Sequence, residues 1–127
     1  MADNKNLSIG ILSYDEVRSV SPALEEYTKG PLMNGLWKRP ELSPRDRSFV
    51  TVAALIARIQ TIEMPFHFAL ALDNGVKPAE LSEVITHLAF YSGWANAMTA
   101  VSVAKNVFRE RGVSRNNCHP QRTSRFR

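Results

Sequence analysis

An all-α fold, a compact bundle of about six helices, is predicted by three observations. Apolar residues recur at helical spacing in segment after segment, no strand alternation persists, and helix start and stop residues bracket the segments. The length of 127 residues suits one domain. A hydrophobic content of 44% suits a packed interior rather than a disordered chain.

The first helix is predicted over Tyr14–Val20, where Asp15 and Glu16 complement the positive end of the helix dipole. Ser21-Pro22 starts a second helix, with Ser as N-cap and Pro in the first turn, and Gly30-Pro31 is expected to stop it after about Lys29. Leu32 to Pro40 then reads as a connector, with Trp37 packed back on the core. Ser43-Pro44-Arg45-Asp46 starts the third helix, close to a capping box. Its apolar run from Phe49 to Ile59 covers much of the circumference, which predicts burial on most sides, in a core or between subunits.

Met64 to Asn74 forms the fourth helix, ended by Asn74-Gly75 in the left-handed manner. Pro78 opens the fifth, with Leu81, Val84, Ile85, Leu88 and Ala89 as an apolar stripe, although Lys77 is a poor N-cap. Gly93 breaks the run. The sixth helix spans Ala95 to Arg111, and Gly112 closes it. Six shortish helices with a very apolar third member are hard to bury in one small unit, so an oligomer is expected.

The net charge of +4 is unevenly placed. The tail from Val113 to Arg127 holds Arg115, Arg122, Arg125 and Arg127 and no acid, which leaves 12 basic and 12 acidic residues in positions 1–112. A neutral body argues against a nucleic-acid partner. The domain is accordingly placed at 1–112 and a basic, disordered tail at 113–127. No apolar run approaches the ~20 residues that cross a bilayer, so no membrane partner is expected. The polar Met1–Lys5 start lacks the apolar core of a signal peptide, and a cytoplasmic protein is expected. The single Cys118 excludes an internal disulfide and a redox CxxC pair.

Chemistry is concentrated in two Glu-x-x-x-His pairs twenty residues apart, Glu63 with His67 and Glu83 with His87. A spacing of four puts each pair one turn apart on a helix face. Glu and neutral His move protons or hold metals near neutral pH. Pro65 qualifies the first pair: it fits the first turn of the His67 helix and shifts Glu63 toward the N-cap. His67 could equally be a hydrogen-bonded core histidine, and Glu63 a cap. A metal site from all four residues is the sharpest alternative, but bundle sites of that kind use a spacing of three, and no metal is expected.

Four stretches together resemble the carboxymuconolactone decarboxylase family, which includes the alkylhydroperoxidase D-like proteins. They are Leu36–Ser43; Arg45–Leu55; His67 followed by Ala71–Val76; and Leu81–Ile85 with Ala89–Ala97. The order and spacing, running from Leu36 to Phe108, carry the resemblance. It implies an alkylhydroperoxidase D-like fold around a helical hairpin, assembled as a homotrimer or homohexamer, with a pocket near His67 often completed by a neighbouring subunit.

The peroxidase branch of that family carries a Cys-x-x-Cys pair and a relay Glu. The matching positions here are Gln60, Glu63 and Ser48, so a disulfide cycle has no thiols to run on. The Cys-less branch, that of gamma-carboxymuconolactone decarboxylase, keeps the His and an acid four residues before it. The resemblance thus implies a cofactor-free lyase acting on a small carboxylated lactone, with His67 as proton donor oriented by Glu63. Arg39, Arg47 and Arg58 are candidate carboxylate ligands, since guanidinium offers bidentate geometry. Trp94 and Tyr91 are further candidates for contact with substrate, and Phe66, Phe68 and Trp94 for an apolar lining. The alternatives are a related lyase or isomerase on another small molecule, and a non-catalytic oligomeric binding protein. The roles of Glu83 and His87 stay open.

Overall fold

The computed structural model describes residues 8–9, 12–114 and 117. The described residues open on a two-residue antiparallel pair that helical periodicity did not signal, β1 (Ser8–Ile9) against β2 (Leu12–Ser13). Six α-helices follow: α1 (Tyr14–Val20), α2 (Pro22–Tyr27), α3 (Pro44–Ala57), α4 (Met64–Asp73), α5 (Pro78–Ser92) and α6 (Trp94–Glu110).

Local chemistry explains the boundaries. Ser13 caps α1 through its hydroxyl, which accepts from Glu16 N at 3.1 Å, while Glu16 Oε2 accepts from Ser13 N at 3.2 Å. Ser43 caps α3 by accepting from Asp46 N at 3.1 Å. Lys77 offers α5 no such cap, but Glu80 reaches back and accepts from Lys77 N at 3.0 Å, which repairs the flaw in the sequence. Ser21 stands at the N-cap of α2 with Pro22 in the first turn, as expected, but makes no side-chain cap bond.

The largest departure lies after α2. Gly30-Pro31 does not stop the helix; it widens it. Thr28–Gly35 forms a π-helix with Pro31 inside, followed by a 3₁₀ turn over Leu36–Lys38. Proline removes one backbone donor, which breaks the ordinary ladder locally, but a wider register lets the chain keep turning. Asn34 Nδ2 donates to the Lys29 carbonyl at 2.7 Å, satisfying an acceptor within that irregular stretch. Upstream, the buried Glu25 carboxylate is held by Arg18 Nη1 at 3.2 Å and Lys29 Nζ at 4.0 Å, partners that a buried charge requires.

The core lies among α3, α4, α5 and α6. Ile56, Met64, Phe68 and Leu81 are its largest sealed apolar side chains. Ala97, Ala100 and Ala104 are buried on α6, where small side chains let its backbone approach α4 and α5. The α5–α6 hairpin turns at Gly93, with φ 109°. Its neighbour α3 buries only Ser48, Val52 and Ile56, while Val50 is 62% exposed. The expected burial of α3 on most sides is therefore not met within one chain: its apolar run exceeds the face that α4 and α5 cover. Among the described residues no helix is long and apolar enough to cross a membrane. Cys118, the Arg115–Arg127 basic cluster and the Met1–Lys5 start lie outside the described residues.

Candidate functional site

His67 sits on the first turns of α4, behind Pro65, and Trp37 of the 3₁₀ turn stacks beside it with ring centroids 6.2 Å apart and planes at 19°. Phe66 meets the same imidazole edge-on at 5.0 Å. Trp37, expected on the core, packs instead on the candidate catalytic histidine, outside the apolar core cluster.

The imidazole is half-buried, and its Nδ1 has no hydrogen-bond partner among the described residues. Desolvation pulls its pKa below the usual 6.5, because burial penalises the imidazolium. A buried, unpartnered ring nitrogen costs free energy unless something else satisfies it, which is a common property of groups that meet a ligand.

Two cavities open beside His67. One, of about 290 Å³, is walled by Leu36, Trp37, Leu42, Arg47, Thr51 and His67, among others. The other, of about 190 Å³, is walled by Thr28, Met33, Trp37, Glu63, Phe66 and His67. Leu32 of the π-helix borders both. The widened helix therefore supplies outer wall to the site, in a stretch that from Leu32 onward was expected to be a connector.

Arg47 is held by the chain that precedes α3: Nε donates to the Leu42 carbonyl at 3.1 Å and Nη2 to the Arg39 carbonyl at 3.2 Å. Among the described residues it is the one Lys or Arg lining either His67 cavity. Arg39 serves that site through its backbone, and its own guanidinium is exposed, 3.6 Å from Glu41. Arg58 is exposed at the C-cap of α3 and lines neither cavity.

Glu63 occupies the N-cap position of α4, as Pro65 implied, and makes no side-chain cap bond. Its carbonyl accepts from His67 N at 3.3 Å, and its side chain lines the smaller cavity with His67. The two residues share a chamber, but no bond joins the Glu63 carboxylate to Nδ1.

The remaining candidates lie elsewhere. Phe68 is sealed in the core and Trp94 is 64% exposed, so neither lines a His67 cavity. Tyr91 is exposed on α5 and stacks on His87 with centroids 4.8 Å apart. Glu83 and His87 border a separate hollow of about 550 Å³ between α3 and α5, floored by Phe49, Ala53, Val84 and Leu88. Glu80 at its rim is already engaged by Arg45, whose guanidinium holds that carboxyl below its usual range. The two Glu-x-x-x-His pairs thus face different cavities, and no group of three metal-binding side chains converges among the described residues. Ser48 is buried in the α3–α4 contact, where it accepts from Asn74 Nδ2 at 3.0 Å. The residues that sequence reasoning passed over are the chamber walls Thr28, Leu32, Met33 and Thr51. Only the aromatic Trp37 gave a signal in that region.

Fold and site together define a class: small helical-hairpin proteins with an apolar, histidine-bearing pocket. A sequence profile of the carboxymuconolactone decarboxylase family matches residues 22–106. The chain belongs to that family. The match begins at α2, ahead of the Leu36 start that the motifs alone suggested. The chain is 35% identical over 79 residues to the 4-carboxymuconolactone decarboxylase of Acinetobacter baylyi, covering 62% of this chain and 59% of the relative. It is 29% identical over 75 residues to the nitrosuccinic acid decarboxylase of Metarhizium robertsii, covering 59% of this chain and 52% of the relative. The aligned region thus spans between half and three-fifths of each of these curated relatives.

Proposed function

We propose that the chain is a cofactor-free decarboxylase of a small carboxylated lactone or a related acid, with His67 as proton donor and Arg47 as carboxylate anchor. The observation that carries this reading is a half-buried histidine, unpartnered at Nδ1, lining a cavity with a fixed arginine. The decarboxylase names of both relatives support the reaction class.

The chemistry needs no cofactor where the substrate carries its own electron sink. On such a lactone the C–C bond to the departing carboxylate breaks, carbon dioxide leaves, and the electron pair conjugates into the lactone carbonyl. A proton then passes from the His67 imidazolium to carbon, which leaves neutral imidazole. Free His67 is biased toward the neutral form by desolvation. A bound dianion counters that bias, since a nearby negative charge favours imidazolium. Glu63, lining the smaller chamber, adds to the same field. The apolar walls disfavour a solvated carboxylate more than the dispersed charge of the transition state.

The site is proposed to work within a homotrimer or homohexamer, whose neighbouring subunit covers apolar surface left open by one chain. A cytoplasmic location accords with this small-molecule role.

The test is loss of ultraviolet absorbance of 4-carboxymuconolactone, with nitrosuccinic acid as a second substrate. Turnover is expected for the wild type and a loss of at least ~10²-fold for His67→Ala, the usual size of a proton-transfer contribution. Glu63→Gln should cost less, because no bond joins its carboxylate to Nδ1. An assembled, folded protein that turns over neither compound rejects these substrates and favours the binding-protein alternative.

A further inference from the structure

Trp37 borders both cavities beside His67, and with Leu32 and His67 it forms their common boundary. The two chambers differ in kind. The larger holds Arg47 as its cation; the smaller holds Glu63 and no Lys or Arg among the described residues. Trp37 thus lines both the chamber with the cation and the chamber with the acid, stacked on the imidazole whose Nδ1 is unpartnered.

We propose that Trp37 is the specificity-determining residue of this site: it partitions the pocket so that a small dicarboxylic acid is held by one end only. The carboxylate that the substrate keeps pairs with Arg47. The carboxylate that it loses projects into the chamber of Glu63, Phe66 and Met33, where no cation holds it and a like charge repels it. Loss of carbon dioxide removes that unfavourable charge, and His67 stands between the chambers to protonate the carbon left behind. This assignment rests on the decarboxylase reading given above, and adds to it which end of the substrate goes where and what limits its size.

The partition is a binding property, so it is tested without turnover. The probes are acetate, which needs only the Arg47 chamber, and 1-naphthoate, whose rings need both. They are titrated into the ¹⁵N-labelled chain, reading the His67 ring resonances in every variant and the Trp37 indole wherever that residue is kept. Trp37→Leu is expected to tighten 1-naphthoate at least tenfold relative to acetate, because the wall between the chambers is removed. Trp37→Phe keeps a ring and should stay near the wild-type ratio. Arg47→Gln should weaken both acids at least tenfold. An unchanged naphthoate-to-acetate ratio in a folded Trp37→Leu protein overturns the partition. Should that variant fail to fold, the wild type still decides: saturating acetate that moves neither the Trp37 nor the His67 resonance overturns it. A ratio that shifts in a protein without decarboxylase turnover keeps the partition and rejects the reaction. Turnover with an unmoved ratio does the reverse.

Discussion

At the scale of single residues, His67 concentrates the physics of the site. Its pKa lies below the usual 6.5 because the ring is desolvated, with no acid bonded to Nδ1 to offset the cost. The linkage has a definite sign. The unfolded histidine takes up a proton near 6.5, whereas the folded one does so only at lower pH. Acid therefore favours the unfolded chain, and stability is lost as pH falls from about 6.5 toward the depressed value. Melting temperatures from pH 7.5 to 5 should fall for the wild type, with a shallower slope for His67→Gln. Equal slopes would show that His67 is not the group responsible. The same depression predicts that kcat/KM rises as pH is lowered through the free-enzyme pKa, if His67 delivers the proton.

At the scale of elements, helix ends store the strain. Ile59 follows the C-cap of α3 with φ 58°, a left-handed conformation that glycine adopts freely and a β-branched residue resists. Two bonds hold it there: Gln60 N donates to the Leu55 carbonyl at 2.9 Å, and Ile59 N to the Ile56 carbonyl at 3.2 Å. The side chain is exposed, so packing within the chain returns little. Ile59→Gly should therefore stabilise the folded chain by about 1 kcal/mol, read by chemical denaturation. A destabilised variant would mean that Ile59 is buried elsewhere, as at a subunit contact. Gly93 is the opposite case. Its φ of 109° and ψ of 144° suit glycine alone, although an added Cβ would meet nothing within 4 Å. Gly93→Ala should cost about 1–3 kcal/mol through backbone strain alone, and a neutral result in the same assay would refute that cause.

At the scale of the whole molecule, apolar surface is out of balance. Fifteen large hydrophobic side chains are exposed among the described residues, against thirteen buried hydrophobics, of which five are alanine. Phe90, Tyr91, Trp94, Met98 and Val101 are exposed on the α5–α6 hairpin; Phe90 meets Trp94 edge-on at 5.8 Å, and Trp94, Met98 and Val101 share one face of α6 by their spacing. Single exposed apolar residues are ordinary, but contiguous ones mark association surfaces. Sedimentation should therefore give a trimer or hexamer, and Trp94→Glu should shift it toward smaller species with the helical circular dichroism retained. A wild type that sediments as a monomer at micromolar concentration would exclude the assembly.

Periodicity and punctuation made the helices legible. Tyr14–Val20 is found at its expected bounds, and α3 to α6 begin at Pro44, Met64, Pro78 and Trp94, at or within one residue of the expected starts, because caps, prolines and glycines act over a few residues. Glu63 at the N-cap was legible for the same reason: Pro65 constrains its own neighbours. The π-helix was not, because Gly30-Pro31 marks a break in the ordinary ladder without saying whether the chain leaves the helix or widens it. Only the tertiary structure decided which side chains meet across elements. It put Arg47 rather than Arg39 or Arg58 beside His67, sent the two Glu-x-x-x-His pairs to different cavities, and turned Trp37 from a packing residue into a chamber wall. Short-range chemistry fixes where a helix starts and stops, whereas the contents of a pocket depend on crossing geometry that no local residue pattern encodes.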